Sequence, residues 1–167
     1  MTIISVGDSI PDSLISQMSE NGPQPIHTSD YFAGRKIVLF SVPGAFTPTC
    51  SAYHLPGFIE HIEEFTELGV DAIACIAVND VFVMHAWGKS IGAKGIDMLA
   101  DGNGDFATAL GLDSDASAYG MGKRSKRFAL VADNGTVTHL MIEAPGEFLV
   151  SSAENVLSKL MEKSDSL

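Results

Sequence analysis

The stretch that decides the fold is Lys36 to Cys50, KIVLFSVPGAFTPTC. It begins with a continuous apolar run, Lys36 to Val42, which predicts a strand buried on both faces of a sheet. This run leads into a turn-rich loop that contains two prolines, and Cys50 follows the loop. A second apolar run, Val70 to Val78 (VDAIACIAV), predicts a second buried strand.

The segment between these two strands has helical periodicity. Apolar side chains recur at helical spacing from Cys50 to Leu68, and Gly69 ends the pattern. We expect a kink or a break near Pro56-Gly57, because proline removes a backbone donor inside a helix. Further elements are predicted in chain order: a helix carrying Val83, Met84 and Trp87, a short strand from Asp97 to Ala100, a helix from Asp105 to Leu112, a hairpin of strands Phe128 to Ala132 and Thr136 to Ile142, and a helix that opens with the capping box Ser151-Ser152-Ala153-Glu154 and runs to about Met161. This alternation indicates one α/β domain over residues 1–167, with a mixed central sheet flanked by helices.

The composition is that of an ordinary globular domain, with 46% hydrophobic and 19% charged residues in a chain of 167. The formal net charge is −11, from 10 Lys and Arg against 21 Asp and Glu. This surplus of carboxylates argues against binding to nucleic acid or to an anionic membrane surface. No secretory signal is visible, no apolar run approaches the ~20 residues of a membrane span, and two cysteines cannot form a disulfide framework. We therefore expect a reducing, cytoplasmic environment.

Cys50 is the candidate nucleophile. It is predicted to lie in the first turn of a helix, after the carboxyl end of a buried strand, where open α/β sheets bind ligands. Free backbone N–H groups and the helix dipole favour the thiolate there, and the thiolate is the nucleophilic form. The hydroxyl of Thr47, three residues earlier, can donate to the sulfur and accept from a protonated substrate. The alternative is that Cys50 is only a small buried apolar side chain, but the rigid loop with Pro43 and Pro48 favours the nucleophile.

A second informative segment is Lys123 to Arg127, KRSKR, which holds four of the ten basic residues. Most of this run is expected to form a solvated face. Arg127, however, directly precedes the predicted strand that begins at Phe128. At the head of a central strand, its guanidinium can reach the cysteine loop and donate to a developing negative charge.

The cysteine loop resembles a known signature. Pro43, Thr47 and Cys50 match the peroxiredoxin pattern P-x-x-x-T-x-x-C, and the stretch 42–58 is similar to the type II, or peroxiredoxin five, subfamily. The likeness covers essentially the whole chain and is greatest to plant and bacterial type II members. It continues in Val78-Asn79-Asp80, Phe82-Val83, Trp87-Gly88 and Lys126-Arg127-Phe128.

The resemblance implies a thioredoxin-like fold and a thiol-dependent peroxidase that reduces hydrogen peroxide and alkyl hydroperoxides. Cys50 would be the peroxidatic nucleophile, which becomes a sulfenic acid. Thr47 and Arg127 would bind and polarise the peroxide, and Pro43 would shield the sulfenic acid from solvent. The backbone amides of Gly44 and Cys50 would hold the peroxide oxygens. No metal or organic cofactor is implied.

Some type II members carry a resolving cysteine near the carboxyl end, at a position that corresponds to the neighbourhood of Val150 here. The other thiol of this chain, Cys75, lies in the middle of a predicted buried strand, which favours core packing over a resolving role. We therefore expect an external thiol to resolve the sulfenic acid, with glutathione and glutaredoxin, or thioredoxin, as partners. An alternative function is a redox sensor that uses Cys50 as a stoichiometric switch without turnover. The resemblance also implies a homodimer, to which Phe46 would contribute.

Two further patterns indicate no metal site. The run Asp101 to Asp105 imitates the start of an EF-hand loop, but Phe106 and Leu112 stand where that loop needs glycine and glutamate. The five histidines are scattered without a zinc spacing. Among them, His54 resembles a family position behind the cysteine loop, and a packing or surface role fits it equally well.

Overall fold

The structure is a computed structural model that describes residues 2–165. No helix within this range is long and apolar enough to cross a bilayer. The strands are β1 (Leu14–Ser19), β2 (Gly22–His27), β3 (Lys36–Ser41), β4 (Ala72–Ala77), β5 (Ile96–Ala100), β6 (Asp113–Asp115), β7 (Lys123–Ser125), β8 (Phe128–Asp133) and β9 (Thr136–Ile142). The α-helices are α1 (Thr28–Phe32), α2 (Leu55–Glu60), α3 (Ile62–Glu67), α4 (Val81–Ile91), α5 (Asp105–Leu110) and α6 (Ala153–Asp165), with a π-helical turn at Cys50–His54 and a 3-10 turn at Ser117–Tyr119.

Seven strands form one sheet in the order β2-β1-β5-β4-β3-β8-β9. The three central strands β5, β4 and β3 are parallel to one another, whereas β1 and β8 flank them in the antiparallel direction. Strands β6 and β7 pair separately. The mixed strand directions predicted from the sequence are therefore confirmed, and the parallel centre places the carboxyl ends of β3 and β4 side by side.

Strand β3 is buried on both faces because its side chains alternate between two apolar layers. Val38 and Phe40 pack with α2, α3, α4 and α6 on one face. Ile37 and Leu39 pack with α1 and α5 on the other face. Full burial of one such side chain contributes about 1.5–3 kcal/mol. These contacts fix β3 in the middle of the domain, and its carboxyl end sets the position of the loop that follows.

The segment after this loop is helical, as predicted, but it is divided into three pieces. Cys50–His54 form a π-helical turn, α2 begins at Leu55, and an interruption at His61 (φ −111°, ψ 15°) separates α2 from α3. Pro56 lies in the first turn of α2, where its missing N–H is tolerated. The winding changes just before the proline, so an irregularity near Pro56-Gly57 is present as predicted, and a further break at His61 has no counterpart in the prediction.

The start of α6 is also shifted from its prediction by one residue. The N–H of Asn155 donates to Ser152 Oγ at 3.2 Å, so Ser152 is the cap. The hydroxyl of Ser151 donates instead to Glu143 Oε2 at 2.7 Å. The predicted capping box of Ser151 and Glu154 is therefore wrong, because Ser151 is engaged by a carboxylate from another part of the chain.

The hairpin of β8 and β9 is confirmed. Asn134 (φ 49°) and Gly135 (φ 78°) both adopt the left-handed conformation that such a turn requires. The strands pair as far as Phe128 with Ile142. One step further, the N–H of Glu143 donates to the carbonyl of Arg127 at 3.0 Å. The open end of the hairpin therefore holds Arg127 and Glu143 next to each other.

Candidate active site

Cys50 lies at the junction of a buried strand and a helix. The N–H of Val42, just after β3, donates to Ile76 O at 3.1 Å, which fixes the start of the loop on the edge of β4. Residues 43–49 then lead to Cys50, the first residue of the π-helical turn. Cys50 is fully buried. π-helical turns occur frequently at functional sites, and this one places the sulfur at the carboxyl end of the sheet, as predicted.

Two polar side chains contact the sulfur of Cys50. Thr47 Oγ1 lies 2.8 Å from Sγ, and Arg127 Nη2 donates to Sγ across 3.1 Å. Hydrogen bonds to the charged form of a group favour that form. A negatively charged sulfur at this position would therefore have two donors in contact with it, the guanidinium N–H and the hydroxyl. The sulfur is buried beside donors rather than sealed in hydrocarbon, which argues against an inert packing role for Cys50.

The hydroxyl of Thr47 has two neighbours but a single proton. Besides Cys50 Sγ, it lies 2.6 Å from the carbonyl oxygen of Gly44. When the proton points to Gly44 O, the lone pairs of Thr47 Oγ1 are free to accept a hydrogen bond near the sulfur. When it points to Sγ, the hydroxyl stabilises the thiolate. Thr47 can therefore donate a hydrogen bond to the sulfur in one orientation of its hydroxyl. In the other orientation, it can accept a hydrogen bond from a molecule that carries an O–H group.

Arg127 is oriented by His54. Nη1 of Arg127 donates to Nδ1 of His54 at 2.8 Å. The opposite ring nitrogen, Nε2, lies 3.0 Å from the carbonyl oxygen of Ser151, to which it donates. Burial, and secondarily the positive charge of Arg127, lower the pKa of His54 to about 3. The imidazole is therefore neutral near pH 7 and is held as the Nε2–H tautomer, with Nδ1 left to accept from the guanidinium.

The loop after β9 closes over this pair. The ring of Phe148 lies 4.9 Å from the His54 ring, centroid to centroid, in a tilted contact with an interplanar angle of 57°. Its centroid lies 5.7 Å from the Arg127 guanidinium carbon, within the range of a cation–π contact. Glu143 Oε2 accepts from Leu149 N, Ser151 N and Ser151 Oγ at 2.8, 2.7 and 2.7 Å. Although burial raises the pKa of Glu143, these hydrogen bonds outweigh it and hold the pKa below its ordinary value. The loop is thus tied to a buried carboxylate.

The cysteine loop is fixed from two sides. The N–H of Ala45 donates to Asn79 Oδ1 at 2.9 Å, just beyond the end of β4. On the other side, Arg124 donates to the carbonyl oxygens of Met121 (3.0 Å) and Pro43 (3.4 Å). The expectation that most of residues 123–127 form a solvated face is therefore wrong for Arg124, which braces the loop, although Lys123 and Lys126 are exposed.

Close packing explains the glycine at the turn of this loop. A Cβ on Gly44 would lie 3.0 Å from Arg124 Nη1 and 3.3 Å from Thr47 Cγ2. Phe46 also adopts a left-handed conformation (φ 65°), which is unfavourable for an aromatic residue and is typical of functional loops. The loop is therefore held in one tightly packed conformation around Thr47.

A cavity of about 450 Å³ lies beside the loop, within the range of small-molecule sites. Its lining includes Pro43, Thr49, Tyr119, Met121 and Arg127. Cys50 is fully buried and does not line the cavity, whereas Arg127 lines it and also donates to the sulfur. The cavity therefore reaches the guanidinium that contacts Sγ.

Cys75 is placed in the core. It lies in the middle of β4, paired with Phe40 of β3, and is fully buried. Burial, with a smaller contribution from the charge of Cys50, raises the pKa of the Cys75 thiol well above its ordinary value. A buried thiol of raised pKa is a poor nucleophile. Among the side chains that the structure describes, no group of three or more His, Cys, Asp or Glu residues is arranged to hold a metal ion.

The structure brings together Cys50, Thr47, Arg127 and His54, with Pro43 and Gly44 in the same loop. The groups that support them could not be identified from the sequence. Glu143, Phe148 and Ser151 come from the segment after β9, and their spacing carries no recognisable pattern. Asn79 was noted only as part of the family likeness, and its amide gives no local sign that it binds the cysteine loop.

Comparison with known proteins gives a consistent result. The model of the Redoxin family matches residues 5–157. Peroxiredoxin-2C of Arabidopsis thaliana is 49% identical over 162 residues, which cover 96% of this chain and 100% of that protein. Peroxiredoxin-2E-2, chloroplastic, of Oryza sativa subsp. japonica is 49% identical over 163 residues, covering 94% of this chain and 72% of the relative. The crystal structure of reduced Prx3 in complex with hydrogen peroxide from Vibrio vulnificus has a TM-score of 0.92 at 48% identity and covers 95% of this chain and 99% of its own.

The sheet has the mixed strand directions of a thioredoxin-like fold. At the start of a helix, a buried thiol is contacted by a hydroxyl and a guanidinium. Together, these features define a redox protein that works through a cysteine. The chain belongs to the redoxin family and, within it, to the type II peroxiredoxins, and it is a thiol-dependent peroxidase. The predicted fold class and the predicted enzyme are therefore confirmed.

Proposed function

We propose that Cys50 is the thiolate that attacks the peroxide, with hydrogen peroxide and alkyl hydroperoxides as substrates. The observation that carries this assignment is the convergence of Thr47 Oγ1 and Arg127 Nη2 on one sulfur, at 2.8 and 3.1 Å. A relative that shares 48% of its residues with this chain has been crystallised with hydrogen peroxide. A peroxide fits a site of this kind, because one of its oxygens must contact the sulfur while hydrogen-bond donors contact the other oxygen.

The reaction follows from these positions. The thiolate donates an electron pair to the nearer peroxide oxygen, an S–O bond forms and the O–O bond breaks. The sulfur is oxidised to a sulfenic acid, and the peroxide is reduced to an alkoxide or hydroxide that takes a proton from water. Arg127 and Thr47 donate to the oxygen on which negative charge develops. Removal of one such donor lowers rates by on the order of 10²–10³ in other enzymes.

The loop supports this step. The position of Pro43 on the cavity wall fits a role in limiting the access of water to the sulfenic acid. The absence of a side chain at Gly44 lets Arg124 and Thr47 pack close to the turn, and the backbone amides of Gly44 and Cys50 would hold the peroxide oxygens. The family resemblance implies these roles, and the residues that would fill them lie in the same rigid turn.

An external thiol reduces the sulfenic acid in this proposal. Cys75 is buried in β4 and its pKa is raised, so it is poorly suited to attack Cys50. A first external thiol condenses with the sulfenic acid to give a mixed disulfide and water. A second thiol attacks that disulfide and releases the Cys50 thiolate. Glutathione with glutaredoxin, or thioredoxin, is the reductant class that the resemblance implies.

The test is peroxide consumption with glutathione and glutaredoxin, compared with thioredoxin. Cys50→Ser is expected to abolish turnover, and Cys75→Ser is expected to retain it. Sustained turnover by wild type also separates an enzyme from a stoichiometric sensor, which stops after one equivalent of peroxide. Turnover by the Cys50→Ser variant would contradict the proposed role of Cys50. Loss of turnover in a folded Cys75→Ser variant would contradict the proposed role of Cys75.

A homodimer and a cytoplasmic location complete the proposal. Phe46 and Tyr119 are 56% and 82% exposed near the cysteine loop and the cavity, and such aromatic surface favours a protein interface. Sedimentation of wild type against Phe46→Asp tests the dimer, since a lowered mass is expected only if this surface is the interface. The cytoplasmic location rests on the sequence alone, and similar proteins include chloroplastic ones. Imaging of the full natural protein in its own cells tests it.

A further inference from the structure

The carboxylate of Glu143 is not part of the family signature and does not contact Cys50, yet four hydrogen bonds converge on it. Oε1 accepts from Leu149 N at 2.9 Å, and Oε2 accepts from Leu149 N, Ser151 N and Ser151 Oγ. The side chain is only 7% exposed. A buried carboxylate in such a position is costly unless its partners are fixed, so the segment 149–151 is held tightly against the end of β9.

The backbone that Glu143 holds is the backbone that fixes His54. The Ser151 N–H donates to Glu143, and the Ser151 carbonyl accepts from His54 Nε2 at 3.0 Å. His54 Nδ1 in turn accepts from Arg127 Nη1, and Arg127 Nη2 donates to Cys50 Sγ. Hydrogen bonds on either side of the Ser151 backbone therefore connect Glu143, through His54 and Arg127, to the sulfur.

These hydrogen bonds set both the tautomer and the orientation of the imidazole. If the Ser151 carbonyl turned away, Nε2 would lose its acceptor in a buried site. The neutral ring could then place its proton on Nδ1, where it would face the Arg127 guanidinium donor to donor. Arg127 would lose the acceptor that aims its other amino group at Cys50.

On the basis of the proposed role of Cys50, we infer that Glu143 is a positioning residue for peroxide reduction, which acts through Ser151 and His54 on the orientation of the Arg127 guanidinium toward Cys50 Sγ. Arg127 touches the sulfur and is the catalytic group among these residues. Glu143 touches neither the sulfur nor the peroxide oxygens, so its whole effect on the chemistry is expected to pass through Arg127.

The experiment measures the second-order rate at which peroxide oxidises Cys50 in a single turnover, without a reductant. Glu143→Ala is expected to slow this rate by roughly 10-fold to 100-fold, the range for a misplaced catalytic group. Glu143→Gln keeps the shape and one acceptor oxygen, so it is expected to fall between wild type and the alanine variant. A rate within about twofold of wild type in folded Glu143→Ala would overturn the inference, since that is the usual error of such comparisons.

A double-mutant cycle separates positioning from a general loss of structure. In an Arg127→Gln background, Glu143→Ala should change the rate by no more than about twofold, because the group it positions is already gone. Slowing by the same factor in both backgrounds would show that Glu143 does not act through Arg127 and would overturn the inference.

Asp101 provides a matched control. It is also a buried carboxylate (3% exposed), and it accepts from the backbone N–H groups of Phe106 and Ala107 at 3.1 and 2.9 Å, at the start of α5 on the opposite face of the sheet. Asp101→Ala is expected to lower the unfolding free energy and to keep the rate of Cys50 oxidation. If it slowed the reaction as much as Glu143→Ala, the effect would belong to lost stability, and the positioning role would be refuted.

Discussion

The buried, neutral His54 makes the stability of the fold depend on pH in a direction that can be measured. Its folded pKa of about 3 lies below the ordinary value of 6.5. The contribution of the neutral ring to stability is therefore complete above about pH 6.5 and is lost as the pH falls from there toward 3, because only the unfolded chain gains the proton in that window.

The size of the effect follows from the same two values. At about pH 5 the unfolded imidazole is almost fully protonated while the folded one is still neutral. The unfolding free energy attributable to His54 is then about 2 kcal/mol lower than at about pH 7.5. This figure is insensitive to the folded pKa, since about pH 5 lies well above it. Other groups titrate as well; His61, whose pKa is raised by its hydrogen bond to Glu64, has the opposite sign.

The assay is urea unfolding followed by the fluorescence of Trp87, the single tryptophan, at about pH 7.5 and about pH 5. His54→Gln removes the titrating ring and keeps every other group. We expect the variant to be less stable at both pH values but to lose about 2 kcal/mol less than wild type on acidification. Equal losses in the two proteins would refute the buried neutral imidazole and, with it, the acceptor that orients Arg127.

Three further substitutions test separate parts of the site. Thr47→Val should slow Cys50 oxidation by on the order of 10²-fold, whereas Thr47→Ser, which keeps the hydroxyl, should react at nearly the wild-type rate. Stopped-flow mixing with peroxide measures both rates. Equal rates for the two variants would contradict a role of the hydroxyl in the reaction. Cys75→Ser should retain turnover but lose about 1–3 kcal/mol of unfolding free energy, because a hydroxyl in the apolar middle of β4 lacks a partner; urea unfolding checks this, and an unchanged midpoint would contradict the packing role. Arg124→Ala should slow oxidation less than Arg127→Gln, because Arg124 braces the Pro43 carbonyl rather than the sulfur; the reverse order in single-turnover rates would contradict that division.

Features with strong local signals could be predicted from the sequence. The apolar runs of β3 and β4 identify buried strands because a strand covered on both faces needs apolar side chains at every position. Asn134-Gly135 predicts a hairpin because both residues accept positive φ. In contrast, β2 contains Pro23 and Pro25, which weaken any strand prediction. It forms because it is an edge strand, where a missing N–H leaves no partner unsatisfied.

The supporting part of the site could not be predicted for a different reason. Cys50, Thr47 and Pro43 lie within one loop, so their spacing alone indicates a reactive thiol. Glu143 and His54 are far apart in sequence and are brought together by the hairpin and the loop after it. The spacing of residues in the sequence does not indicate that the hydroxyl of Ser151 donates to Glu143 instead of capping α6. Such pairings depend on tertiary structure.

In the proposed mechanism, peroxide is reduced at one sulfur, Cys50 Sγ. The most direct test is mass spectrometry of the protein after one equivalent of hydrogen peroxide in the presence of dimedone, which traps sulfenic acids. We expect a single dimedone adduct on the peptide that contains Cys50, formed in wild type and in Cys75→Ser alike. An adduct confined to Cys75, or peroxide consumed with Cys50 still a free thiol, would contradict this mechanism.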